Sequence, residues 1–230
     1  VETPVDHNFH QIYSERLARW EATRPPAYWE YRRTWEEYPK HHVAGAHPIH
    51  LDIEATTACN LRCTMCSRTE LLAEGTFWKI ENIPFDLYTR LVDEGVRRGL
   101  CSIKYNFLGE PLINKHLVEM IEYAKGAGVI DVMFNTNATL LDDDMSRRLI
   151  GSGLDKLFFS FDSPYPEQFN QIRAGADFHD VFGRIRRFME VRAEMRSISP
   201  FTRVSMVRMK ENEAAWEAFQ SLFAPIVDAV

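Results

Sequence analysis

The chain has 230 residues, of which 45% are hydrophobic and 26% are charged, a composition typical of a globular protein. Its formal net charge of -6 excludes the basic surface that nucleic-acid-binding domains carry, and no run of about 18 apolar residues predicts a membrane span. The N-terminus also lacks the features of a signal peptide, and three of the four cysteines are crowded together. We therefore expect a reduced cytoplasmic protein whose cysteines bind metal rather than form disulfides.

Residues 1–47 differ from the rest of the chain in being rich in Trp and Tyr mixed with Arg and Glu. Their pattern predicts two short amphipathic helices, near residues 9–22 and 26–37. We interpret this segment as a helical N-terminal extension packed against a larger domain at 48–230. A role in capping a substrate is the alternative.

Strand-like and helix-like segments alternate through the rest of the chain. The predicted strands are 50–55, 102–108, 130–135, 157–161 and 203–209, and the predicted helices are 84–98, 114–127, 141–152, 178–195 and 212–223. Five βα units at this spacing predict an α/β fold of parallel strands joined by helical crossovers. An open doubly wound sheet and a partial (βα) barrel both fit this alternation.

The faces of the predicted strands favour the barrel. On the first strand His50, Asp52 and Glu54 share one face, and the second and fourth strands also have a polar face. A doubly wound sheet buries both faces and should show continuous apolar runs. We expect these polar side chains to line the inside of a partial barrel, with Lys104 balancing Asp52 or Glu54 in an ion-pair network. Substrate binding or acid–base chemistry is the alternative role.

Cys59, Cys63 and Cys66 directly follow the first predicted strand, at the end where (βα) barrels carry their chemistry. Thiolates suit iron–sulfur clusters and zinc. Three of them can hold three irons of a cubane and leave the fourth iron open. Structural zinc needs four ligands, so the fourth would have to come from His50 or a more distant group. The spacing alone leaves a cluster, zinc and no metal as possibilities.

The C-x3-C-x2-C spacing at this position resembles the signature of the radical S-adenosylmethionine (radical SAM) superfamily. The resemblance implies that Cys59, Cys63 and Cys66 hold a [4Fe-4S] cluster whose open iron chelates S-adenosylmethionine. In that family one electron from the cluster cleaves the sulfonium to methionine and a 5′-deoxyadenosyl radical, which removes a hydrogen atom from a substrate. Met65 departs from the family pattern, because the residue before the last cysteine is often aromatic.

Two further segments resemble motifs of this family. Gly109-Glu110-Pro111 follows the second strand and is similar to the family's GEP motif, which implies that Gly109 and Glu110 hold the amino group of S-adenosylmethionine. Asn137 follows the third strand in a segment similar to the family's Thr-Asn-Gly, with Ala138 in place of Gly. The resemblance implies a contact with S-adenosylmethionine or substrate. An ordinary turn or helix cap is the alternative at both places.

Ser160 and Asp162 end the fourth strand and point the same way, where the family uses a polar pair for the carboxylate and ribose of S-adenosylmethionine. Arg173 resembles an arginine that pairs with that carboxylate, which suits its bidentate geometry. Capping of the next turn and a solvated surface arginine are the alternatives. Cys101 precedes the second strand, so we expect it far from the cluster as an incidental thiol.

The resemblance extends from about residue 49 to about residue 209. The family's partial barrel usually has six βα units and five are visible, so the chain looks truncated at its C-terminus. Its pattern is similar to members that carry a C-terminal SPASM or twitch domain. We expect no auxiliary cluster in this chain.

The sequence thus predicts a radical SAM enzyme whose substrate is a sugar or other small molecule, slightly favoured over a peptide. The resemblance also implies an electron donor such as flavodoxin or ferredoxin. No residue can be assigned to the chemistry on the substrate itself. Two alternatives stay open: a zinc-stabilised α/β binding domain, and a fragment that binds cluster and S-adenosylmethionine without turnover.

Overall fold

A computed structural model describes residues 11–77 and 79–230 of the chain. The strands are β1 (His50–Ile53), β2 (Ser102–Tyr105), β3 (Asp131–Thr136), β4 (Lys156–Ser160) and β5 (Phe201–Ser205). The helices are α1 (Arg16–Glu21), α2 (Pro26–Lys40), α3 (Ser67–Ala73), α4 (Phe85–Arg97), α5 (Leu117–Ala127), α6 (Asp143–Gly151), α7 (Pro166–Ile172), α8 (Phe178–Glu194) and α9 (Trp216–Phe223). Short 3-10 turns lie at Pro111–Ile113 and Glu213–Ala215.

The five strands form one parallel sheet in the order β1-β2-β3-β4-β5, so each strand pairs with the next one along the chain. This confirms the predicted α/β fold and partial (βα) barrel. Because all strands run the same way, their carboxyl ends meet at one edge of the sheet. Every loop that follows a strand therefore lies at that edge.

The two faces of the sheet differ as the sequence predicted. One face is apolar, with Ile103, Phe134 and Leu157 completely buried in the main core against the helices that follow β1. The register places Asp52, Lys104, Met133, Lys156 and Phe201 in one row across the opposite face. This mixed polar and apolar face is the inner face of the partial barrel.

Helices α1 and α2 cover the amino end of the inner face. Trp20 and Tyr28 pack against Met133, Phe158 and Phe201 in a second hydrophobic cluster. Arg24, just before α2, donates to Asp155 over 2.6 Å, which fixes the helix pair to the start of β4. These contacts pack both helices against the sheet, and the division into an extension and a larger domain stays a prediction. The first helix is shorter than predicted, and residues 9 and 10 of the prediction lie outside the described residues.

Several predicted boundaries were wrong. The helices α3 and α7 were missed, because each has seven residues and too few turns for a clear apolar period. Strand β5 ends at Ser205, not at residue 209, because the amide of Val207 donates to the side chain of Asp162 instead of a neighbouring strand. Phe107 was predicted within β2, but it lies beyond the strand end and is 73% exposed.

The chain returns to the sheet after α9. Ala229 pairs in parallel with Arg203 of β5 and antiparallel with Tyr13, and the amide of Val204 donates to Ala229 O over 3.1 Å. Ala229 therefore lies where the next parallel strand of the barrel would be. Among the described residues, no helix is long and apolar enough to cross a membrane.

Candidate functional site

The cysteine loop leaves β1 and is held by the last residue of α7 and the segment that follows it. The amide of Arg62 donates to Ala174 O and that of Thr64 donates to Ile172 O, each over 2.9 Å. Cys63 is buried, Cys59 and Cys66 are half-buried, and all three are free thiols. The backbone bonds thus fix the loop and leave the sulfur atoms available for ligation.

The loop after β2 holds the other side of the cysteine loop. The amide of Glu110 donates to Ala58 O over 2.8 Å. A Cβ atom on Gly109 would lie 1.8 Å from Thr56 O, so only glycine allows this close approach of the two backbones. The Glu54 carboxylate accepts the amides of Leu108 and Gly109 over 2.8 and 3.0 Å. Glu54 therefore ties the end of β1 to the loop after β2.

The carboxyl group of Glu110 is engaged within the protein. It accepts hydrogen bonds from Thr136 Oγ1 over 2.6 Å, from Asn137 N over 2.7 Å and from Leu112 N over 3.2 Å. Burial raises the pKa of Glu110, and these hydrogen bonds oppose the rise. The predicted contact of Glu110 with the amino group of S-adenosylmethionine stays a prediction. The observed bonds show Glu110 joining the loops after β2 and β3.

Asn137 links the loop after β3 to the cysteine loop. Its Nδ2 donates to Asn60 Oδ1 over 3.0 Å, and its Oδ1 accepts the amide of Thr139 over 3.0 Å. Ala138 has a φ of 61°, in the left-handed region that glycine adopts most easily. This explains the Gly that occupies this position in the Thr-Asn-Gly motif that the segment resembles.

Two predicted cofactor residues are paired with each other. Arg173 donates to Asp162 Oδ2 from Nε over 2.7 Å, and its Nη2 lies 2.7 Å from the same oxygen. The other oxygen of Asp162 accepts the amide of Val207 over 2.8 Å. Asp162 is completely buried, whereas Ser160 is half-buried on the inner face beside Ser205. The alternative of a solvated surface arginine is therefore wrong for Arg173, which is 8% exposed.

The three thiols are buried or half-buried, and charged side chains of both signs lie near them. Burial raises the pKa of Cys59, and Glu110 adds to the rise while Arg68 opposes it. Burial also raises the pKa of Cys63, and the positive charge of Arg173 opposes that rise. A bound metal would stabilise the thiolates that burial disfavours.

The structure brings together residues that sequence reasoning did not assign to the site. Glu54 was expected to face the barrel interior, but it binds the loop after β2 instead. Burial lowers the pKa of Lys104, and the charge of Asp52, its neighbour in the register, opposes that shift. Asp52 therefore balances Lys104 at a distance, although Lys104 forms no contact ion pair within the part of the chain that the structure describes. Asn60 and Arg68 also lie at the site, and no spacing pattern marks either of them. Cys101 lies at the opposite end, where its amide donates to Ile49 O, as predicted.

The cysteine loop does not have the arrangement of a site for a single ion. In residues 11–77 and 79–230, no group of three or more His, Cys, Asp or Glu side chains converges as a mononuclear metal site requires. A cubane differs, because each of its cysteines binds a separate iron. The donor set of three unbridged thiols on one clamped loop fits such a cluster.

A cavity of about 630 Å³ lies on the inner face, between the sheet and the helices α1 and α2. Strand residues Met133, Phe158 and Arg203 form one wall, and Tyr28 and Arg32 of α2 form another. Arg203 lies over the ring of Phe158 at 4.1 Å. The cavity is large enough for a small molecule and carries both charged and aromatic groups.

The fold and the site define a class of protein: a parallel partial (βα) barrel with a thiol-bearing loop and polar groups gathered at the carboxyl edge of the sheet. The family model of the Radical SAM superfamily matches residues 53–219, which is most of the chain. The chain therefore belongs to the radical SAM superfamily. Proteins of this superfamily use a [4Fe-4S] cluster and S-adenosylmethionine, and the homologues of this chain are enzymes.

Two curated relatives illustrate the similarity in sequence. The tungsten-containing aldehyde ferredoxin oxidoreductase cofactor-modifying protein of Pyrococcus furiosus is 29% identical over 167 residues, covering 71% of this chain and 44% of the relative. The GTP 3′,8-cyclase of Desulforamulus reducens is 30% identical over 143 residues, covering 62% of this chain and 43% of the relative. The chain thus spans less than half the length of these relatives.

A solved structure supports the fold. The structure of Streptococcus suis SuiB bound to S-adenosylmethionine matches with a TM-score of 0.63 at 17% identity, covering 83% of this chain and 41% of SuiB. At this level of identity the likeness concerns the fold alone.

Proposed function

We propose that this chain is the catalytic core of an enzyme that reductively cleaves S-adenosylmethionine at a [4Fe-4S] cluster to form a 5′-deoxyadenosyl radical, which abstracts a hydrogen atom from a substrate. The observation that carries the proposal is the clamped loop with three free thiols at Cys59, Cys63 and Cys66. In this proposal the cluster supplies the electron, as it does in the family. The chain supplies the ligands, the groups that bind the cofactor and partly buried surroundings.

The loops after β1 to β4 would hold the cluster ligands and the cofactor in one place. Glu54 and Glu110 position the loop after β2, and Asn137 positions the loop after β3. Gly109 and Glu110 would hold the amino group of S-adenosylmethionine, because the three hydrogen bonds that the Glu110 carboxylate accepts leave it further acceptor capacity. Ser160 on the inner face and the Asp162–Arg173 pair would meet its ribose and carboxylate.

We infer that the substrate is a sugar or other small molecule rather than a peptide. The cavity on the inner face has the size of a small-molecule site, and α1 and α2 form one of its walls. The names of both curated relatives describe action on GTP or on a cofactor, which is consistent with this preference. Peptides remain the competing class, because the SuiB structure has also been solved with a precursor peptide.

We further propose that the protein works in the cytoplasm and takes electrons from a donor such as flavodoxin or ferredoxin. The four free cysteines suit a reducing compartment. A one-electron donor is required, since each cleavage consumes one electron.

The test is product analysis of the anaerobically reconstituted chain. With dithionite and S-adenosylmethionine, the account predicts equal amounts of methionine and 5′-deoxyadenosine by mass spectrometry. A chain that loads iron and sulfide but releases neither product would be a binding fragment without turnover. A chain that takes up zinc and refuses iron and sulfide would support the zinc-stabilised domain instead.

A further inference from the structure

Arg68 is a buried cation behind the cysteine loop that the proposed function does not yet use. It lies two residues after Cys66, near the start of α3, and its side chain is 2% exposed. Arginine is almost never this deeply buried unless its charge is paired. The burial of Arg68 therefore implies a partner for its charge.

The guanidinium group of Arg68 is held at one side only. Its Nε donates to Thr57 O over 2.9 Å, and its Cζ atom lies 5.1 Å from the centroid of the Phe77 ring. Its Nη1 is buried and has no hydrogen-bond partner among the described residues. Since Thr57 is two residues before Cys59, the anchored side of Arg68 faces the beginning of the cysteine loop.

A buried hydrogen-bond donor without an acceptor lowers the stability of the fold, and native proteins contain few such groups. Arg173, the other buried arginine at the site, shows the usual solution, because Asp162 neutralises it. Within the described part of the chain no carboxylate forms an ion pair with Arg68. Its hydrogen bond to Thr57 O places it beside the chain two residues before Cys59.

We propose that Arg68 is a positioning residue for the cluster, whose Nη1 donates a hydrogen bond to a sulfur atom of the [4Fe-4S] group and whose charge balances that group's negative charge. This inference rests on the proposed function. A cubane held by three thiolates carries net negative charge, and reduction adds one more. Hydrogen bonds to the sulfurs and nearby positive charge raise the reduction potential of such clusters. Arg68 then makes the cluster easier to reduce.

Two variants separate this role from a structural one. Arg68→Gln removes the charge, and Arg68→Lys keeps the charge but loses the planar fork that can reach Thr57 and the cluster together. Glu70→Gln is the matched control, because it changes one charge on the same helix at an exposed position. Each reconstituted protein is titrated by redox potentiometry with EPR detection, and iron and sulfide content are measured in parallel.

We expect the midpoint potential to fall in Arg68→Gln, to fall less in Arg68→Lys, and to stay unchanged in Glu70→Gln. An unchanged potential in a fully loaded Arg68→Gln protein would overturn the inference. A wild-type chain that never binds a cluster would overturn the proposed function instead, so the two failures are distinguishable.

A second measurement on the wild-type chain covers the case in which Arg68→Gln does not bind a cluster. With ¹⁵N-arginine in the protein, electron spin echo modulation of the reduced cluster should show coupling to a guanidinium nitrogen. That coupling should disappear in Arg68→Lys and persist in Arg173→Lys. Its absence from the loaded wild-type protein, or its persistence in Arg68→Lys, would contradict a direct hydrogen bond from Arg68.

Discussion

Asp162 and Arg173 form a buried ion pair that joins the end of β4 to the segment after α7. Both Nε and Nη2 of Arg173 lie 2.7 Å from one oxygen of Asp162. Ala174 in that segment and Ile172 at the end of α7 accept hydrogen bonds from the amides of the cysteine loop. The pair therefore helps to fix the thiols as well as to prepare groups for a cofactor.

Removal of the Asp162 charge should be strongly destabilising, because it leaves Arg173 buried without a counter-charge. Asp162→Asn is expected to lower the free energy of unfolding by about 3 kcal/mol, measured by urea denaturation. Asp143→Asn is the control, since it removes one carboxylate from the exposed pair with Arg187 and should change little. Equal effects of the two substitutions would contradict the buried character of the pair.

Gly109 should not tolerate a side chain. In Gly109→Ala the new Cβ would meet Thr56 O, so the loops after β1 and β2 must separate and iron binding should fall sharply. Gly183→Ala is the matched control, because it lies inside α8 with open space around it. It should raise stability by about 0.5–1 kcal/mol. The iron content of each variant after reconstitution measures the effect on the loops, and thermal melting measures the effect on stability. Normal iron loading of Gly109→Ala would contradict the close contact between Gly109 and Thr56.

His50 should make stability depend on pH on the acidic side. Burial lowers the pKa of His50 below its ordinary value of 6.5, so the unfolded chain binds a proton that the folded chain rejects. The contribution of neutral His50 to the free energy of unfolding is therefore fully present above pH 6.5 and is lost as the pH falls below that value. Between pH 7.5 and 5.5, the wild-type chain should lose more unfolding free energy than His50→Gln in urea titrations. Identical losses would show that His50 titrates normally.

Three of the four cysteines should be essential for the cleavage of S-adenosylmethionine, and the fourth should not. Cys59→Ala, Cys63→Ala or Cys66→Ala should each abolish cleavage of S-adenosylmethionine, because each removes a proposed ligand. Cys101→Ala should leave cleavage intact, since Cys101 lies at the amino end of β2. The release of 5′-deoxyadenosine is the measurement. Cleavage by a variant that lacks all three loop cysteines would rule out the ligand assignment.

The sequence predicted the fold well because the βα alternation and the polar strand faces are strong signals. The segments with Cys59, Gly109, Asn137 and Asp162 follow four successive strands, and the parallel sheet brings them to one edge. Short helices such as α3 carry too few residues to show a period. The division at residues 47 and 48 stays a prediction.

The network that holds the site could not be predicted from the sequence. Glu54 was recognised as an inner-face residue, yet its hydrogen bonds to the amides of Leu108 and Gly109 depend on where the next loop passes. The burial of Arg68 also depends on tertiary packing, because its position in a polar-looking segment suggests exposure. The spacing of the cysteines predicts the ligands, whereas the contacts that support them can be seen only in the folded chain.

The central claim is that Cys59, Cys63 and Cys66 hold a [4Fe-4S] cluster with one iron open to S-adenosylmethionine. The most direct test is EPR spectroscopy of the anaerobically reconstituted and reduced chain, recorded with and without S-adenosylmethionine. The account predicts a [4Fe-4S]⁺ signal that changes when S-adenosylmethionine is added. A signal indifferent to S-adenosylmethionine, or a chain that binds zinc in place of iron, would contradict it.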